Sequence, residues 1–361
     1  MGYVAVRASV NAIEAAERLA SERRLRVEHP LTTDQITEQL ALAVDKVMAE
    51  GGVMDAELAA LSLQQADGDV IEAAFLLRAY RSTLPRLGYS ASVTSRDIVV
   101  RRRISSVFRD IPGGQILGET RDYSQRLLEI RSPRGLETVE TSDDVAESDA
   151  PEAMTPVVDV LRAQGLMAEP PATVAEAEPF DITRMPMRFP MPRSGHLQAL
   201  ARGEAGGMLA LAYSSMRGWG GAGHGALAEL RAGELPLRIF HPITGRPAVI
   251  GHITVTEVQY VSGGRASLQD DQQSEYEMGY GLVPGRDERK AISMAIIDAS
   301  LRLASEDSTK PVENQEFVIS HIDPIESSGF VEHLKLPHYV TFQAGLQRAR
   351  RLQELMEASR A

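Results

Sequence analysis

The chain of 361 residues contains no cysteine, which excludes disulfides, a thiolate-bound iron–sulfur cluster and a cysteine nucleophile. Aromatic residues are scarce at 5%, so the chain lacks the composition of a base-stacking platform. The formal net charge is −12, which argues against general nucleic-acid binding because such binding depends on cations. No apolar run approaches the roughly 18–20 residues that span a bilayer, and the first residues lack the pattern of a signal peptide. We therefore expect a cytoplasmic protein that binds neither nucleic acid nor membrane.

The composition that is present is that of a folded globular protein. Hydrophobic residues make up 43% and charged residues 24% of the chain, and the length favours two domains. We predict an α+β fold with a helical domain over residues 1–134 and a mixed strand and helix domain over residues 181–361. Between them, residues 135–180 are predicted to form an acidic, proline-rich linker.

The N-terminal part shows helix signals. Thr32 and Gln35 form a capping box, which predicts a helix that continues to the terminating glycines 51 and 52. Two further helices are expected, over residues 56–65 and from Asp69 through Tyr80.

The C-terminal part mixes strand and helix signals. Residues 235–240 and 248–260 have strand composition. Residues 279–287 are predicted to form a glycine-rich turn before a helix, and a last amphipathic helix is expected around residues 342–352. The turn at 279–290 either binds phosphate at the helix N-terminus or is a tight turn before a packed helix. Residues 213–221 form either a base- or sugar-binding loop or a plain surface loop.

A basic segment interrupts this acidic chain. Residues 96–134 carry nine arginines against five acidic residues, whereas residues 135–152 carry seven acidic residues and no lysine or arginine. Arginine forks match phosphate and phosphonate oxygens, and the glycines of a turn at 111–115 would let backbone N–H groups approach an anion. The segment is therefore either an anion site, or a solvated face or docking surface for an acidic partner.

Near the C-terminus, His333 and His338 lie five positions apart, with Pro337 directly before the second. On a continuous helix the two side chains would diverge by about 140°. The proline disfavours helix at this point, so we expect the rings to converge across a bend. Imidazole is a common zinc ligand, and the alternative interpretation is a surface turn.

Two histidines do not complete a metal site. Without cysteine, further ligands must be His, Asp, Glu, water or groups of another subunit. The nearest local candidates are His321, Asp323 and Glu332. This half-site suggests a site at a subunit interface.

Segments spread over nearly the whole chain resemble the PhnI family, the I-type subunit of the bacterial carbon–phosphorus lyase core complex. The similarity is weakest over residues 135–152. The segments that carry it are Tyr3–Val6, Gln39–Met48 with Gly51-Gly52, Phe75–Arg81, Arg102–Ser105, Asp110–Gln115, Ala210–Ser214, Gly279–Val283, Glu316–Val318 and Gly329–Val340.

The resemblance implies phosphonate catabolism. In this family the I-type subunit looks like the catalytic subunit for the first step of phosphonate breakdown. That step displaces adenine from ATP with a phosphonate such as methylphosphonate. The product is α-D-ribose 1-methylphosphonate 5-triphosphate, and the subunit alone behaves as a purine nucleosidase. The resemblance also implies G-, H-, J- and L-type partner subunits, with two copies each of G, H, I and J in a symmetric core. It further implies zinc at the I–J boundary, held here by His333 and His338, and ATP as substrate together with Mg²⁺.

This chemistry assigns roles to the candidate residues. Clustered cations must hold the triphosphate and the phosphonate, and either a carboxylate must stabilise the cation-like sugar or a carboxylic acid must protonate the purine. The sequence does not rank the catalytic candidates. It also does not assign zinc to this step or to a neighbouring one. The alternative is a non-catalytic scaffold subunit that supplies half of an interface zinc site. The candidates for substrate binding are Arg101, Arg102, Arg103, Arg109, Gly113 and Gly114, and those for catalysis are Asp181, Glu316 and Asp323.

Overall fold

The computed structural model of the chain describes residues 10–26, 29–124, 154–167, 179–219, 224–263, 276–304, 308–336 and 338–360. In these residues helices accompany one four-stranded antiparallel sheet, which confirms the predicted α+β class. Most of the predicted linker lies outside the described residues, so the division into domains stays a prediction. None of the described helices is both long enough and apolar enough to cross a membrane.

Residues 10–81 are mainly helical, as predicted, whereas residues 99–104 of the predicted helical domain form a strand that pairs with the C-terminal sheet. Thr32 and Gln35 form the expected capping box, with the Thr32 side chain accepting from the Gln35 N–H at 3.2 Å. The helix predicted to continue to residue 51 is interrupted at Leu40, which ends one helix and begins the next. The helices are α1 (Val10–Leu25), α2 (Thr33–Gln39), α3 (Ala41–Gly51), α4 (Ala56–Gln65) and α5 (Val70–Arg81).

Helices α2 to α5 share a small core of their own. Its centre includes Val47, Ala60 and Leu77, all fully or almost fully buried. Burying a side chain such as leucine contributes about 1.5–3 kcal/mol. Asp55 and Asp69 cap the starts of α4 and α5 by accepting backbone N–H groups.

The sheet contains four strands in chain order, all antiparallel to their neighbours. Both predicted strands are present and longer than expected. The predicted turn at 279–287 is wrong, because residues up to Pro284 belong to a strand and the chain turns only at Gly285. The strands are β1 (Val99–Ile104), β2 (Ala226–Phe240), β3 (Pro247–Gly263) and β4 (Tyr276–Pro284).

Helix α9 (Glu288–Arg302) packs directly on β4. A Cβ atom on Gly279 would lie 2.0 Å from the Ala295 carbonyl oxygen, and one on Gly281 would lie 2.2 Å from that of Ala291. These glycines therefore permit a close helix–strand contact, which explains why a strand carries them.

The remaining helices surround α9 and the sheet. The predicted loop at 213–221 is wrong over its described part, because a helix runs to Ser214 and a π-helical turn follows over Ser215–Trp219. The last amphipathic helix is present as predicted. These helices are α6 (Val157–Ala163), α7 (Arg193–Ala201), α8 (Ala205–Ser214), α10 (Gln315–Ile322), α11 (Pro324–Glu332) and α12 (Tyr339–Ala358).

Ion pairs connect the N-terminal helices to the rest of the fold. Arg286, just after β4, donates to the buried Asp45 of α3 at 2.7 Å. Arg78 of α5 binds both carboxylate oxygens of Asp323 at 3.2 and 2.9 Å. The seam between α3, α5, α9 and α11 is therefore lined by charged side chains.

Candidate functional site

The histidine pair lies where α11 passes into α12. His333 begins a short 3₁₀ turn after α11, and His338 directly precedes α12. Their ring centroids are 5.4 Å apart with an interplanar angle of 57°. Pro337 lies outside the described residues. The two imidazoles, separated by a break between helices, thus lie within ring-contact distance of each other.

Both rings are oriented by backbone carbonyls. Nδ1 of His333 bonds the Phe330 carbonyl oxygen, and Nδ1 of His338 bonds that of Leu336 at 2.6 Å. A carbonyl oxygen only accepts, so each Nδ1 carries its proton. In the neutral imidazoles each Nε2 then has a lone pair available, which is the arrangement typical of metal-binding histidines.

The distance between the two ring centres can be compared with that of two imidazoles bound to one metal ion. Two imidazoles on one tetrahedral zinc, with Zn–N bonds of about 2.0–2.1 Å, have their centres about 5.2 Å apart. The observed 5.4 Å fits that value. The donor set and the fixed Nδ1 protons therefore suit a zinc-like ion.

The site has only two such ligands within the part of the chain that the structure describes, which contains no cluster of three or more metal-binding side chains. The local candidates are engaged elsewhere. His321 bonds its own helix at the Phe317 carbonyl, Asp323 is paired with Arg78, and Glu332 is paired with Lys335 at 2.7 Å. A metal here would need water or another polypeptide to complete its coordination.

Exposed apolar side chains surround the histidines. Phe330 is 75% exposed, Leu334 67% and Phe342 67%. Such a concentration of exposed large hydrophobic residues is typical of an interaction surface. The half-site and this surface occupy the same end of the molecule.

The predicted anion-binding arginines divide into two groups. Arg101 and Arg109 are exposed, whereas Arg102 and Arg103 are buried. Arg102 pairs with Glu288 and Asp122, both at 2.6 Å, and bonds a backbone carbonyl. Its guanidinium group therefore has internal acceptors on both sides.

Arg103 is fully buried in the same way. It pairs with the buried Glu229 and donates to the carbonyls of Pro112 at 2.8 Å and Thr155 at 2.9 Å. These bonds tie the strand, the following loop and the start of α6 together. They favour a structural role for Arg103, and its role in substrate binding stays a prediction.

Gly113 and Gly114 have φ angles of 87° and 85°, values that favour glycine. The Gly114 N–H donates to the Ile111 carbonyl at 2.8 Å, while the Gly114 carbonyl accepts from Arg103. The Gly114 N–H is therefore used within the turn, and the Gly114 carbonyl is directed at the Arg103 guanidinium group. This arrangement does not favour Gly114 as an anion donor.

The three catalytic candidates lie in different environments. Asp181 accepts from the Thr183 hydroxyl and N–H, Arg86 and Tyr89. Burial alone would raise the pKa of Asp181, but these hydrogen bonds hold it well below its ordinary value. Glu316 is exposed in the first turn of α10, and Asp323 caps α11 and binds Arg78. Asp181 and Asp323 both attract the guanidinium group of Arg202, whereas Glu316 has no such contact among the described residues.

Two buried charges lie at the seam, and neither was among the predicted site residues. Glu50, at the end of α3, is 1% exposed, and burial raises its pKa to about 7 despite the attraction of Lys290. Lys290, in the first turn of α9, is 1% exposed, and burial lowers its pKa to about 8 despite Glu50 and Asp287. Among the described residues, the Lys290 ammonium group has no hydrogen-bond acceptor. The sequence did contain a signal for the burial of Glu50, since this residue follows Val44 and Val47 along the apolar side of α3.

A second buried pair joins α7 to α9. His196 Nε2 lies 2.9 Å from Oδ1 of Asp298, while Arg193 and the Tyr280 N–H each reach Oδ2 at 2.9 Å. Burial would raise the pKa of Asp298, but the contacts with His196 and Arg193 lower it overall. Because Asp298 also accepts a backbone N–H of the edge strand β4, this constellation fixes helices to the sheet.

Comparison with known proteins gives a consistent identification. The family model described as "Bacterial phosphonate metabolism protein (PhnI)" matches residues 2–356. A Rhizobium meliloti (strain 1021) protein named alpha-D-ribose 1-methylphosphonate 5-triphosphate synthase subunit PhnI is 46% identical, with 99% of this chain and 97% of the relative aligned. The Escherichia coli (strain K12) protein of the same name is 44% identical, with 98% of each chain aligned.

A third relative carries a different name. The Stutzerimonas stutzeri protein named putative C-P lyase subunit protein HtxH is 44% identical, with 98% of this chain and 96% of the relative aligned. Each of these three alignments covers almost the entire length of both proteins. The chain therefore belongs to the PhnI family of bacterial phosphonate metabolism proteins.

Proposed function

We propose that the chain is the I-type subunit of a carbon–phosphorus lyase complex and takes part in forming α-D-ribose 1-methylphosphonate 5-triphosphate. The observation that carries this proposal is the identity of 46% and 44%, over nearly full length, to relatives named as subunits of that synthase. In the reaction, a phosphonate oxygen of methylphosphonate bonds C1′ of ATP. The C1′–N9 bond breaks, its electron pair remains on adenine, and adenine leaves after taking up a proton.

The reaction sets requirements that residues of this chain must meet. The ribosyl carbon becomes cation-like, so a nearby carboxylate stabilises it, while two polyanions must be brought together against their mutual repulsion. Asp181, whose pKa is held low, is suited to remain charged rather than to donate a proton. An acid with a pKa near neutrality suits protonation of the base, and Glu50 has that property but lies buried beneath the surface.

The proposal includes zinc at the histidine pair. His333 and His338 would bind it through Nε2, with their Nδ1 protons held by the backbone carbonyls. Zinc supplies Lewis-acid polarisation of an oxygen ligand when it is bound. Mg²⁺ is proposed as the ion that accompanies the ATP triphosphate.

The proposal also includes partner subunits of the G, H, J and L types. Support comes from the exposed apolar side chains around the histidine pair and from the missing ligands of that site. Helix α12 extends this surface, since its Leu352, Leu355 and Met356 are between 55% and 60% exposed. We propose the J-type subunit as the partner at the histidine pair.

The function can be tested by measuring base release. The purified full-length chain is incubated with ATP or GTP, and free purine is quantified by liquid chromatography. The complex assembled with its partner subunits is then given ATP and methylphosphonate, and ³¹P NMR follows the ribosyl phosphonate product. We expect purine from the chain alone and the phosphonate ester from the complex. Absence of purine under every metal condition would favour the scaffold alternative.

A further inference from the structure

Three arginines meet at the seam between the N-terminal helices and the remainder of the fold. Arg78 and Arg81 lie in the last turn of α5, and Arg202 directly follows α7. Gly52, which ends α3 with a φ of 72°, lies between two of them. We call Arg78, Arg81 and Arg202 the seam arginines.

Gly52 locates Arg81 and Arg202 relative to each other. A Cβ atom at this glycine would lie 2.6 Å from Nη1 of Arg81 and 3.4 Å from Nε of Arg202. The two nitrogens are therefore separated by no more than the sum of these distances. Two guanidinium groups this close repel each other unless an anion lies near both.

The nearby carboxylates are already paired with other cations. Nη1 of Arg78 donates to both carboxylate oxygens of Asp323 and its Nη2 donates to the Glu50 carbonyl, while Asp181 accepts from Arg86. Within the described chain, neither Arg81 nor Arg202 forms an ion pair. The cluster of four arginines and two aspartates therefore has an excess of positive charge.

Unused donors accompany this excess. Nε of Arg202 and Nε of Arg78 are buried and, among the described residues, have no hydrogen-bond acceptor. Burial, together with repulsion from the neighbouring arginines, lowers the pKa of Arg202 to about 10 and also lowers that of Arg81, although Asp181 attracts both groups and Asp323 attracts Arg202. The C-terminal dipole of α5 favours a cation at Arg81, but it gives the buried Arg202 Nε no acceptor. Buried donors without acceptors call for a specific explanation.

We propose that Arg81 and Arg202, brought together across Gly52, form a binding site for a phosphate-type oxyanion. Guanidinium groups donate paired hydrogen bonds to such oxygens, and Gly52 leaves room for both because it has no side chain. The identification of the natural ligand as the ATP triphosphate or the phosphonate rests on the proposed function. The anion site itself rests on the contacts of Arg81, Arg202 and Gly52.

The test uses two simple anions on the full-length protein. Isothermal titration calorimetry measures the affinity for inorganic tripolyphosphate and, separately, for methylphosphonate. The variants are Arg81→Gln, Arg202→Gln and the pair, and Arg246→Gln, exposed in the β2–β3 turn, is the matched control. We expect each arginine change to weaken at least one anion about 10- to 100-fold, with the control unchanged. The anion that responds identifies its source as triphosphate or phosphonate.

A second measurement needs no variant. Phenylglyoxal modifies accessible arginines, and mass spectrometry locates the adducts with and without tripolyphosphate or methylphosphonate. We expect one of the anions to protect Arg81 and Arg202. Equal modification in all samples, or unchanged affinity of the double variant, would overturn the site.

The same variants separate this proposal from the proposed function. Loss of anion binding in the double variant, with no purine released from ATP by any form of the protein, would support the site and reject the function. Purine release with an unchanged KM in the double variant, together with unchanged tripolyphosphate and methylphosphonate affinity, would reject the site and leave the function standing.

Discussion

The buried Arg103–Glu229 pair allows the strongest test of what the basic segment does. Arg103→Met removes the guanidinium group but keeps a flexible side chain of comparable length. Among the described residues, Glu229 would keep only the Val157 N–H at 3.0 Å and the guanidinium of Arg231 at 4.0 Å. Three backbone carbonyls would also lose their donor.

The expected loss of stability follows from this inventory. Removing one member of a buried ion pair costs about 3–5 kcal/mol, because the remaining charge is left without compensation. With an unfolding entropy of about 2.1 cal/mol/K per residue over a chain of 361 residues, this corresponds to a fall in Tm of about 4–7 °C.

The assay is thermal unfolding followed by circular dichroism, with ATP affinity measured on the same preparations. Arg101→Met is the matched control, since Arg101 is exposed on the same strand, and we expect it to stay within about 0.5 kcal/mol of the parent. Adding Glu229→Gln to Arg103→Met should recover about 1 kcal/mol or more, because the orphaned charge is removed.

The opposite pattern would refute the structural role. If Arg103→Met unfolds at the parent temperature and its ATP affinity falls, the guanidinium group serves the substrate and the internal bonds contribute nothing measurable. If Arg101→Met and Arg103→Met lose equal stability, burial is not the source of the effect.

Three further predictions follow from other parts of the molecule. Changing His333 and His338 together to alanine should remove zinc from the assembled complex, measured by mass spectrometry of metals, and an unchanged zinc content would contradict the half-site. For Glu50, the folded pKa of about 7 exceeds the ordinary 4.5, so its contribution to stability is present below pH 4.5 and is lost as the pH rises through 7. Glu50→Gln should flatten this dependence of the urea midpoint between about pH 5 and 7, and a parallel pH profile for the variant would argue against it. Gly281→Ala should destabilise by about 3 kcal/mol, whereas Gly251→Ala, with open space around its Cβ position, should not, and equal urea midpoints would exclude the close packing of α9.

Local features were predictable from the sequence because local chemistry determines them. The Thr32 capping box needs only two residues three positions apart, and it forms as predicted. The strand at 248–260 was recognisable because β-branched residues fit a pleated surface. In both cases the neighbours along the chain supply the interaction.

Features that depend on distant contacts were not predictable in this way. The glycines at 279 and 281 indicate a turn when considered alone, and only the approach of α9 explains them within a strand. Arg102 and Arg103 are adjacent in sequence, yet Arg102 reaches Glu288 of α9 and Arg103 reaches Glu229 on β2. A cluster of arginines in sequence is therefore not a patch in space.

The same distinction applies to the candidate sites. The spacing of His333 and His338 around Pro337 pointed to convergence, because the proline acts on its neighbours. The seam arginines gave no such signal, since Arg81 and Arg202 are far apart in the chain and meet only when α5 and α7 end at the same place. Charged groups that tertiary packing brings together are the part of a site that one sequence does not disclose.

The charge balance of the two arginine groups indicates where binding energy remains available. Arg102 and Arg103 have their hydrogen bonds made in the folded chain, so a ligand could engage them only by displacing carboxylates and carbonyls that already satisfy them. Among the described residues, Arg81 and Arg202 have no carboxylate within ion-pair distance, only the longer-range attraction of Asp181 and Asp323, and an arriving anion would relieve their repulsion. The net free energy of anion binding is therefore more favourable at the seam than in the basic segment. A new hydrogen bond costs least where the donor has no existing partner to give up. If the phosphates of ATP bind this chain, the free energy favours the seam over residues 101–103.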